Sequence, residues 1–195
     1  MSDKTFLYDQ HVRNGGKMIA FGGYQMPVWF SSIKEEHQSV RQSVGMFDIS
    51  HMGVFLIDGE NAANFLQLIS SNNIQKTETG KMIYSMILNN EGMVLDDIMV
   101  GPLGSSFVMV VNASNRSKLK SWFNTHISSG VAITSLEDTH GFIAVQGPEA
   151  VATLDQIFST SLKDLQRFGT QKLQLLDSDV IVMRTGYTGE DGVEL

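Results

Sequence analysis

The 195-residue sequence contains no cysteine, only three prolines and no apolar run that approaches membrane-spanning length. The lack of cysteine excludes disulfides, thiolate nucleophiles, cysteine-based zinc sites and cysteine-ligated iron–sulfur clusters. The first residues, Met-Ser-Asp-Lys-Thr-Phe, have neither the apolar core of a signal peptide nor an Arg-rich leader. These features predict a cytoplasmic protein without a membrane segment.

The charge balance argues against a nucleic-acid partner. Fourteen basic residues against 21 acidic ones give a net charge of −7, and the basic residues are scattered. No basic patch is available to follow a phosphate backbone. The five histidines show no metal-ligand spacing such as His-Glu-x-x-His, so no metal site is expected. With 42% apolar residues, the chain is long enough to bury the core of one domain or of two small ones.

Segments of period 2 alternate with segments of period 3.6, which predicts an α+β fold of mixed or antiparallel sheets with packed helices. Ser32 and Glu35 are spaced as a capping box and predict a helix from Ser32 to Val44 that ends at Gly45. The other elements predicted in the first two thirds are a strand Val54–Ile57, a helix carrying Ala62, Phe65, Leu66 and Ile69, a hairpin of Met82–Leu88 and Met93–Val100, a strand Phe107–Val111, a helix capped by Ser114 or Asn115 and carrying Leu119, Trp122, Phe123 and Ile127, and an edge strand Val131–Ile133.

The last third repeats this order. A strand Phe142–Gln146 is expected to lead into a helix with Pro148 at its first position. Leu173–Leu176 and Val180–Arg184 are predicted to form a hairpin. The ending, Gly192–Leu195, has the pattern of a strand with nothing left to pair it, so the sequence predicts a truncated or naturally split protein.

Two adjacent acids, Asp96 and Asp97, interrupt an otherwise apolar strand. Successive side chains of a strand point to opposite faces, so at least one carboxylate should face a core or a cavity. Burying a charge is costly unless it is paired, hydrogen-bonded or protonated, which makes such a residue a candidate for work on a ligand. The strand alone supports a second interpretation equally well. In that interpretation it is an edge strand, and both acids lie in water or form an ion pair.

Two further motifs carry polar groups. His51 with Asp48 has the composition of a base and its orienting carboxylate, but a histidine hydrogen-bonded at a strand junction is the more economical interpretation. The segment Gly186–Glu194 combines three glycines, an aromatic residue and three acids, and it matches neither a Walker A nor a dinucleotide fingerprint. A tight structural turn is favoured there, with Glu194 suited to accept two hydrogen bonds from an amine- or amide-rich heterocycle. If the hairpin pairs as predicted, Tyr84 and Asn112 lie near the aspartates.

Several motifs together resemble the aminomethyltransferase, or T-protein, family of the glycine cleavage system. They occur in the family's order and span almost the whole chain: Ser43–Gly53, Gly80–Ser85, Gly92–Asp97, Val110–Ala113 and Arg184–Gly192.

The resemblance implies a transferase of one-carbon metabolism and glycine catabolism. Such enzymes take the aminomethyl group carried on the lipoyl arm of H-protein, pass its carbon to tetrahydrofolate and release ammonia. By the same resemblance, Asp97 is the catalytic carboxylate beside the reacting nitrogens of the folate. Asp96 points to the opposite face of the strand and is expected to have a structural role. The implied folate-binding residues are Met52, Leu56, Tyr84, Asn112, Phe168, Tyr187 and Glu194, the last of which would hold the amino and ring N–H groups of the pterin.

The resemblance further implies ferredoxin-like subdomains. Residues 1–50 with 139–195 are expected to form a discontinuous folate-binding subdomain, and residues 51–138 a second one. Family members are much longer, so the C-terminal part of the fold is expected to be missing and the isolated chain to bind folate weakly. Gly101 stands where many relatives carry an aromatic residue and is expected to loosen one wall of the folate cleft.

Two alternatives remain open at this point. One is a folate-dependent demethylase, or the folate module of a sarcosine-type dehydrogenase, with the same fold. The other is a noncatalytic folate-binding or assembly protein, although relatives that serve iron–sulfur assembly carry a cysteine signature and this chain has no cysteine.

Overall fold

The computed structural model describes residues 2–158, 161–175 and 177–195, without the side chains of residues 78 and 79. The chain divides into two compact units, unit 1 of Met1–His51 with Gly141–Leu195 and unit 2 of Met52–His140. Within the described ranges, no helix has the length and apolar character needed to cross a membrane.

The elements follow one another along the chain as β1 (Asp3–Lys4), α1 (Tyr8–Arg13), β2 (Met18–Phe21), β3 (Tyr24–Pro27), α2 (Ile33–Gln42), β4 (Gly45–Asp48), β5 (Gly53–Asp58), α3 (Ala62–Ile69), β6 (Ile83–Leu88), β7 (Val94–Leu103), β8 (Ser106–Val111), α4 (Arg116–His126), β9 (Ala132–Ser135), β10 (Ile143–Gln146), α5 (Ala150–Leu154), β11 (Thr170–Leu175), β12 (Ser178–Met183) and β13 (Gly192–Glu194). Short 3₁₀ turns cover Ile74–Thr79 and Ala113–Asn115.

Unit 1 contains two sheets. A small mixed sheet has the order β1-β3-β2, with β1 parallel and β2 antiparallel to β3. A five-stranded antiparallel sheet has the order β11-β12-β13-β10-β4. Its core packs apolar residues of α5 against β10, β12 and β13, with Ala150, Leu162 and Val182 almost fully buried.

Unit 2 is one antiparallel sheet of order β6-β7-β8-β5-β9 with two helices packed on it. Phe65 and Leu66 of α3 and Leu119 and Phe123 of α4 join the inward side chains of the strands in one core. The ring of Phe123 packs edge-on against Phe55 of the sheet at 5.5 Å between centroids. The predicted α+β class is therefore confirmed, with two antiparallel sheets and one mixed sheet.

Most elements predicted from periodicity are confirmed within two or three residues, including the β6–β7 hairpin and the helix with Phe65 and Leu66. The α2 helix begins as expected, since the Ser32 hydroxyl accepts a hydrogen bond from the Glu35 N–H. It ends at Gln42, two residues earlier than predicted. Gly45 does not cap it but opens β4, because Gly45 pairs with Gln146.

Three predictions for the last third need correction. Pro148 does not occupy a first helical position, since α5 begins after Glu149. The hairpin of β11 and β12 is confirmed, but its turn is shorter than expected because Ser178 pairs with Leu175; Leu176 lies outside the described residues. The final segment does not lack a partner, since β13 pairs with β10 through Val193 and Val145.

Candidate functional site

Asp96 and Asp97 lie side by side on β7 and point to opposite faces of the unit 2 sheet. Asp96 shares the core face with Ile98 and is only 3% exposed. Asp97 is exposed on the other face. The predicted alternation is confirmed, and Asp97 is the carboxylate of the pair that a ligand can reach.

The Asp97 carboxylate is held by one donor on each oxygen. The Tyr84 hydroxyl donates to Oδ2 at 3.1 Å, and the Asn112 side-chain amide donates to Oδ1 at 2.9 Å. Met86 lies directly opposite Asp97, and Tyr84 is two residues before Met86 on β6. Tyr84 therefore points to the same face of the sheet as Asp97 and lies diagonally across from it. Strand pairing therefore unites three of the predicted residues, and both donors to the carboxylate are neutral.

Asp96 is hydrogen-bonded to the segment that follows β8. Its Oδ2 accepts the Asn112 backbone N–H at 2.9 Å, and its Oδ1 accepts the side-chain amides of Asn112, at 2.9 Å, and Asn115. Asn115 was expected only as a possible helix cap, and its side chain makes no capping bond. This contact was not accessible to sequence reasoning, because it joins residues 19 positions apart in the chain.

Met52 and Leu56 belong to the same unit, and both are half-buried. Leu56 lies opposite Val108, and Val108 lies opposite Gly101 on β7. Directly opposed residues share a face, so Leu56 stands on the Asp97 face of the sheet, with β8 between its strand and β7.

Glu194 lies in unit 1, on β13, opposite Ala144. Burial raises the pKa of the Glu194 carboxyl, and the Thr185 hydroxyl, which donates to Oε2, offsets only part of that rise. Among the residues that the structure describes, only the Thr185 hydroxyl donates to this half-buried carboxylate, which retains capacity to accept further N–H groups. The structure therefore makes Glu194 a candidate for binding a ligand that carries N–H donors.

The loop between Thr185 and Val193 is tied down by Gln146, a buried residue that the sequence interpretation missed. Its amide nitrogen donates to the carbonyl oxygens of both loop ends, at 3.0 Å for Thr185 and 3.3 Å for Val193. Its amide oxygen accepts the Thr188 hydroxyl at 3.0 Å. A Cβ at position 186 would lie 1.8 Å from the Gln146 amide oxygen, so a larger residue there would displace this amide. The tight turn favoured from the sequence is built on this amide.

The two predicted aromatic residues of unit 1 are both on the surface. Tyr187 is fully exposed at the start of the loop. Phe168 is partly exposed, and its φ of 66° lies in the left-handed region, which is uncommon for a bulky side chain. Its backbone N–H is held by the Arg184 carbonyl oxygen at 2.9 Å.

The comparisons with known proteins decide the family. The sequence model of the GCVT N-terminal domain matches residues 7–195. The chain belongs to the GCVT N-terminal domain family. It is 41% identical over 194 residues to an aminomethyltransferase of Thermotoga petrophila, covering 98% of this chain and 53% of that relative. The chain thus spans about half the length of the curated relatives it matches.

Solved structures agree with this assignment. The glycine cleavage system aminomethyltransferase T of Bartonella henselae superposes with a TM-score of 0.91 at 30% identity, over 100% of this chain and 53% of that one. The resemblance noted from the sequence motifs is therefore confirmed. A heterotetrameric sarcosine oxidase of Corynebacterium sp. U-96 matches 83% of this chain and 80% of its own with a TM-score of 0.56, and at 11% identity it shares the fold alone.

In this GCVT N-terminal domain, Asp48 bonds His11, a histidine that the sequence interpretation did not connect with it. The Asp48 carboxylate, whose side chain is fully buried, bonds the His11 imidazole at 2.8 Å and the Thr5 hydroxyl at 2.6 Å. Burial by itself would raise the pKa of Asp48, but hydrogen bonds from Ser50, Thr5 and His11 outweigh it and hold that pKa below its ordinary value. These contacts anchor the N-terminal segment to β4, and no reacting group is apparent among them.

Gly101 on β7 is packed closely against Met82. A Cβ on Gly101 would lie 2.7 Å from both Cα and Cγ of Met82, so Met82 fills the space beside this glycine. Met82 is buried. An aromatic side chain at position 101 has no room in this arrangement.

Proposed function

We propose that this domain is the N-terminal part of a tetrahydrofolate-dependent aminomethyltransferase of glycine cleavage. The transferred carbon begins bonded to the sulfur of the lipoyl arm of H-protein and to an amine nitrogen, and it ends bonded to N5 and N10 of tetrahydrofolate. Sulfur leaves as a thiol and nitrogen as ammonia, each taking one of the two protons that the folate nitrogens release. The proposal retains the cytoplasmic location expected from the sequence.

The observation that carries the proposal is the exposed Asp97 carboxylate on β7, oriented by the Tyr84 hydroxyl and the Asn112 amide. A fixed carboxylate can accept a hydrogen bond from a folate N–H, which makes the nitrogen a better nucleophile and stabilises the positive charge that develops on it. Both donors are neutral groups, so neither of them cancels the negative charge of the carboxylate.

The remaining assignments follow the family resemblance and are part of the proposal. In unit 2, Met52, Leu56 and Tyr84 would contact the folate ring system. In unit 1, the folate-binding subdomain, Glu194 would accept the amino and ring N–H groups of the pterin, a pairing of planar donors with a carboxylate. Tyr187 and Phe168 would add aromatic surface. Supporting observations are the raised pKa and single protein donor of Glu194.

The decisive test uses the aminomethyltransferase of Thermotoga petrophila as a positive control and aminomethyl-lipoylated H-protein as donor. Formation of methylenetetrahydrofolate is measured for the 195-residue chain and for its native-length polypeptide. We expect activity in the native-length protein that is lost in Asp97→Asn. Turnover that survives this substitution would overturn the role of Asp97.

Binding is measured separately, by titrating tetrahydrofolate and following fluorescence from Trp29 and Trp122. The 195-residue chain is expected to bind more weakly than micromolar, because it spans about half of its relatives. Tight binding without turnover by the native-length protein would favour a noncatalytic folate-binding module instead. Turnover with sarcosine in place of the aminomethyl donor would favour a demethylase.

A further inference from the structure

The buried carboxylate of Asp96 has no assigned role in the proposed chemistry. It is 3% exposed and accepts three N–H groups from Asn112 and Asn115. Within the described part of the chain, no lysine, arginine or histidine forms an ion pair with it. Burying a charged group without a counterion costs free energy unless hydrogen bonds compensate the loss of solvation. The three N–H groups therefore have to offset the desolvation of this carboxylate.

The Asn112 side-chain amide connects this buried carboxylate to the exposed one. Its nitrogen lies 2.9 Å from Oδ1 of Asp96, 2.9 Å from Oδ1 of Asp97 and 3.2 Å from the Asp97 carbonyl oxygen. All three neighbours accept from this nitrogen, and both Asp96 oxygens also accept other N–H groups, from the Asn112 backbone and the Asn115 side chain. The amide nitrogen must therefore face both aspartates, and the amide oxygen must face away.

We propose that Asp96 is a positioning residue for Asp97, and that Asn115 holds Asp96 in place for that purpose. Asp96 determines which end of the Asn112 amide meets the exposed carboxylate. If position 96 offered a donor, the Asn112 amide could turn over and present its oxygen to Asp97, where two acceptors repel each other. The Asp97 carboxylate would then keep only the Tyr84 hydroxyl and lose its fixed orientation.

The kinetic part of this inference rests on the proposed function, whereas the orientation of the amide does not. The first experiment therefore measures hydrogen exchange of the two Asn112 side-chain amide protons by 1H–15N NMR in the 195-residue chain. We expect both protons to be protected in the wild type, and protection to fall at least tenfold in Asp96→Asn. Protection unchanged in Asp96→Asn would overturn the proposal.

Two further variants keep this experiment decisive. Asp58→Asn is the control. Asp58 is a half-buried acid of unit 2 that accepts a hydrogen bond from the Ser106 hydroxyl, and the amide oxygen of an asparagine can still accept this bond. It should leave the Asn112 protons protected. If Asp96→Asn does not fold, Asn115→Ala is measured in its place. Exchange of the Asn112 amide protons should be faster in this variant than in the wild type. Wild-type protection in a folded Asn115→Ala would contradict the proposal that Asn115 holds Asp96 in place.

The second experiment separates positioning from general stability in the native-length protein. Asp96→Asn should lower kcat about tenfold or more, the effect of one lost hydrogen bond to a charged group, with the KM for tetrahydrofolate within about twofold of wild type. Asp58→Asn should change neither. A rise in KM with unchanged kcat would overturn the positioning role. If the wild type forms no methylenetetrahydrofolate, the proposed function fails, while the exchange measurement still decides the orientation of Asn112.

Discussion

The Tyr84 hydroxyl donates a 3.1 Å hydrogen bond to Oδ2 of Asp97, thirteen residues further along the chain. Asn112 donates to the other oxygen, so the carboxylate is oriented before any ligand arrives. Preorganised groups of this kind act on a transition state without the cost of reorienting.

Replacing Asp97 by asparagine should abolish aminomethyl transfer while leaving the fold intact. The side chain is exposed, so the free energy of unfolding should change by no more than about 0.5 kcal/mol. Urea unfolding and the methylenetetrahydrofolate assay on the native-length protein measure the two effects. Asp138→Asn, at another exposed acid of unit 2, serves as the control and should keep full activity.

Tyr84→Phe should reduce activity less severely than Asp97→Asn. The substitution keeps the ring and removes only the hydroxyl that bonds Asp97, a hydrogen bond to a charged group of about 1.5 kcal/mol, which corresponds to a rate loss of roughly tenfold. Tyr84→Leu should lose more, since it also removes the aromatic surface. Equal activities for wild type and Tyr84→Phe would show that the hydroxyl does not orient the carboxylate.

Glu194→Gln should weaken tetrahydrofolate binding and stabilise the free protein above the pKa of Glu194. Burial raises that pKa, so the folded state binds this proton more readily than the unfolded state. The stabilisation from Glu194 is therefore present at low pH and lost as the pH rises through the folded-state pKa. Urea unfolding should show equal stabilities where the carboxyl is protonated and a more stable variant at neutral pH. Glu91→Gln, in the exposed β6–β7 turn, is the control.

Asp48→Asn should destabilise the protein at neutral pH by about 2 kcal/mol, because it weakens charge-assisted hydrogen bonds from Thr5, His11 and Ser50. Those bonds lower the Asp48 pKa in the folded state, so their stabilisation is present above the unfolded-state pKa of about 3.9 and is lost as the pH falls through the folded-state pKa. The difference between variant and wild type should shrink on acidification. Asp9→Asn, at an exposed site on α1, is the control, and a pH-independent difference for Asp48→Asn would contradict the linkage.

Gly101→Ala should cost about 1–3 kcal/mol in unfolding free energy, the usual cost of overpacking, because the new Cβ would lie 2.7 Å from Cα of Met82. Gly141→Ala is the matched control, since the nearest atom to its Cβ would be the Ser50 hydroxyl at 3.8 Å. Chemical denaturation of both variants measures the contrast. Equal stability of Gly101→Ala and wild type would show that Met82 moves aside freely.

The parts of the site that depend on local sequence were predictable. The β6–β7 hairpin lies within one run of alternating residues, so its strands, its turn and the opposite orientations of Asp96 and Asp97 follow from period 2 alone. Tyr84 beside Asp97 follows from the same pairing. The shared Asn112 amide was only partly foreseeable: its proximity to the aspartates was expected, but not that one nitrogen serves both carboxylates.

The contacts that sequence reasoning missed join distant segments. Gln146 reads as an ordinary strand residue, yet its amide holds both ends of a loop about 40 residues later, at Thr185 and Val193. His11 and Asp48 are 37 residues apart and meet only because α1 packs near the end of β4. The prediction that the final strand lacks a partner failed for the same reason, since β13 pairs with a strand formed nearly 50 residues earlier.

The sequence by itself determined the α+β class, the hairpin that carries the aspartates and, through its motifs, the family. Tertiary structure alone decided that Asp96 is buried and bonded by neutral amides, that His11 bonds Asp48, and that Met82 occupies the space beside Gly101. The physical reason is that side-chain alternation and helix spacing are set by neighbours along the chain. Partners for a buried carboxylate or a bare glycine are set by whichever distant segment folds against it.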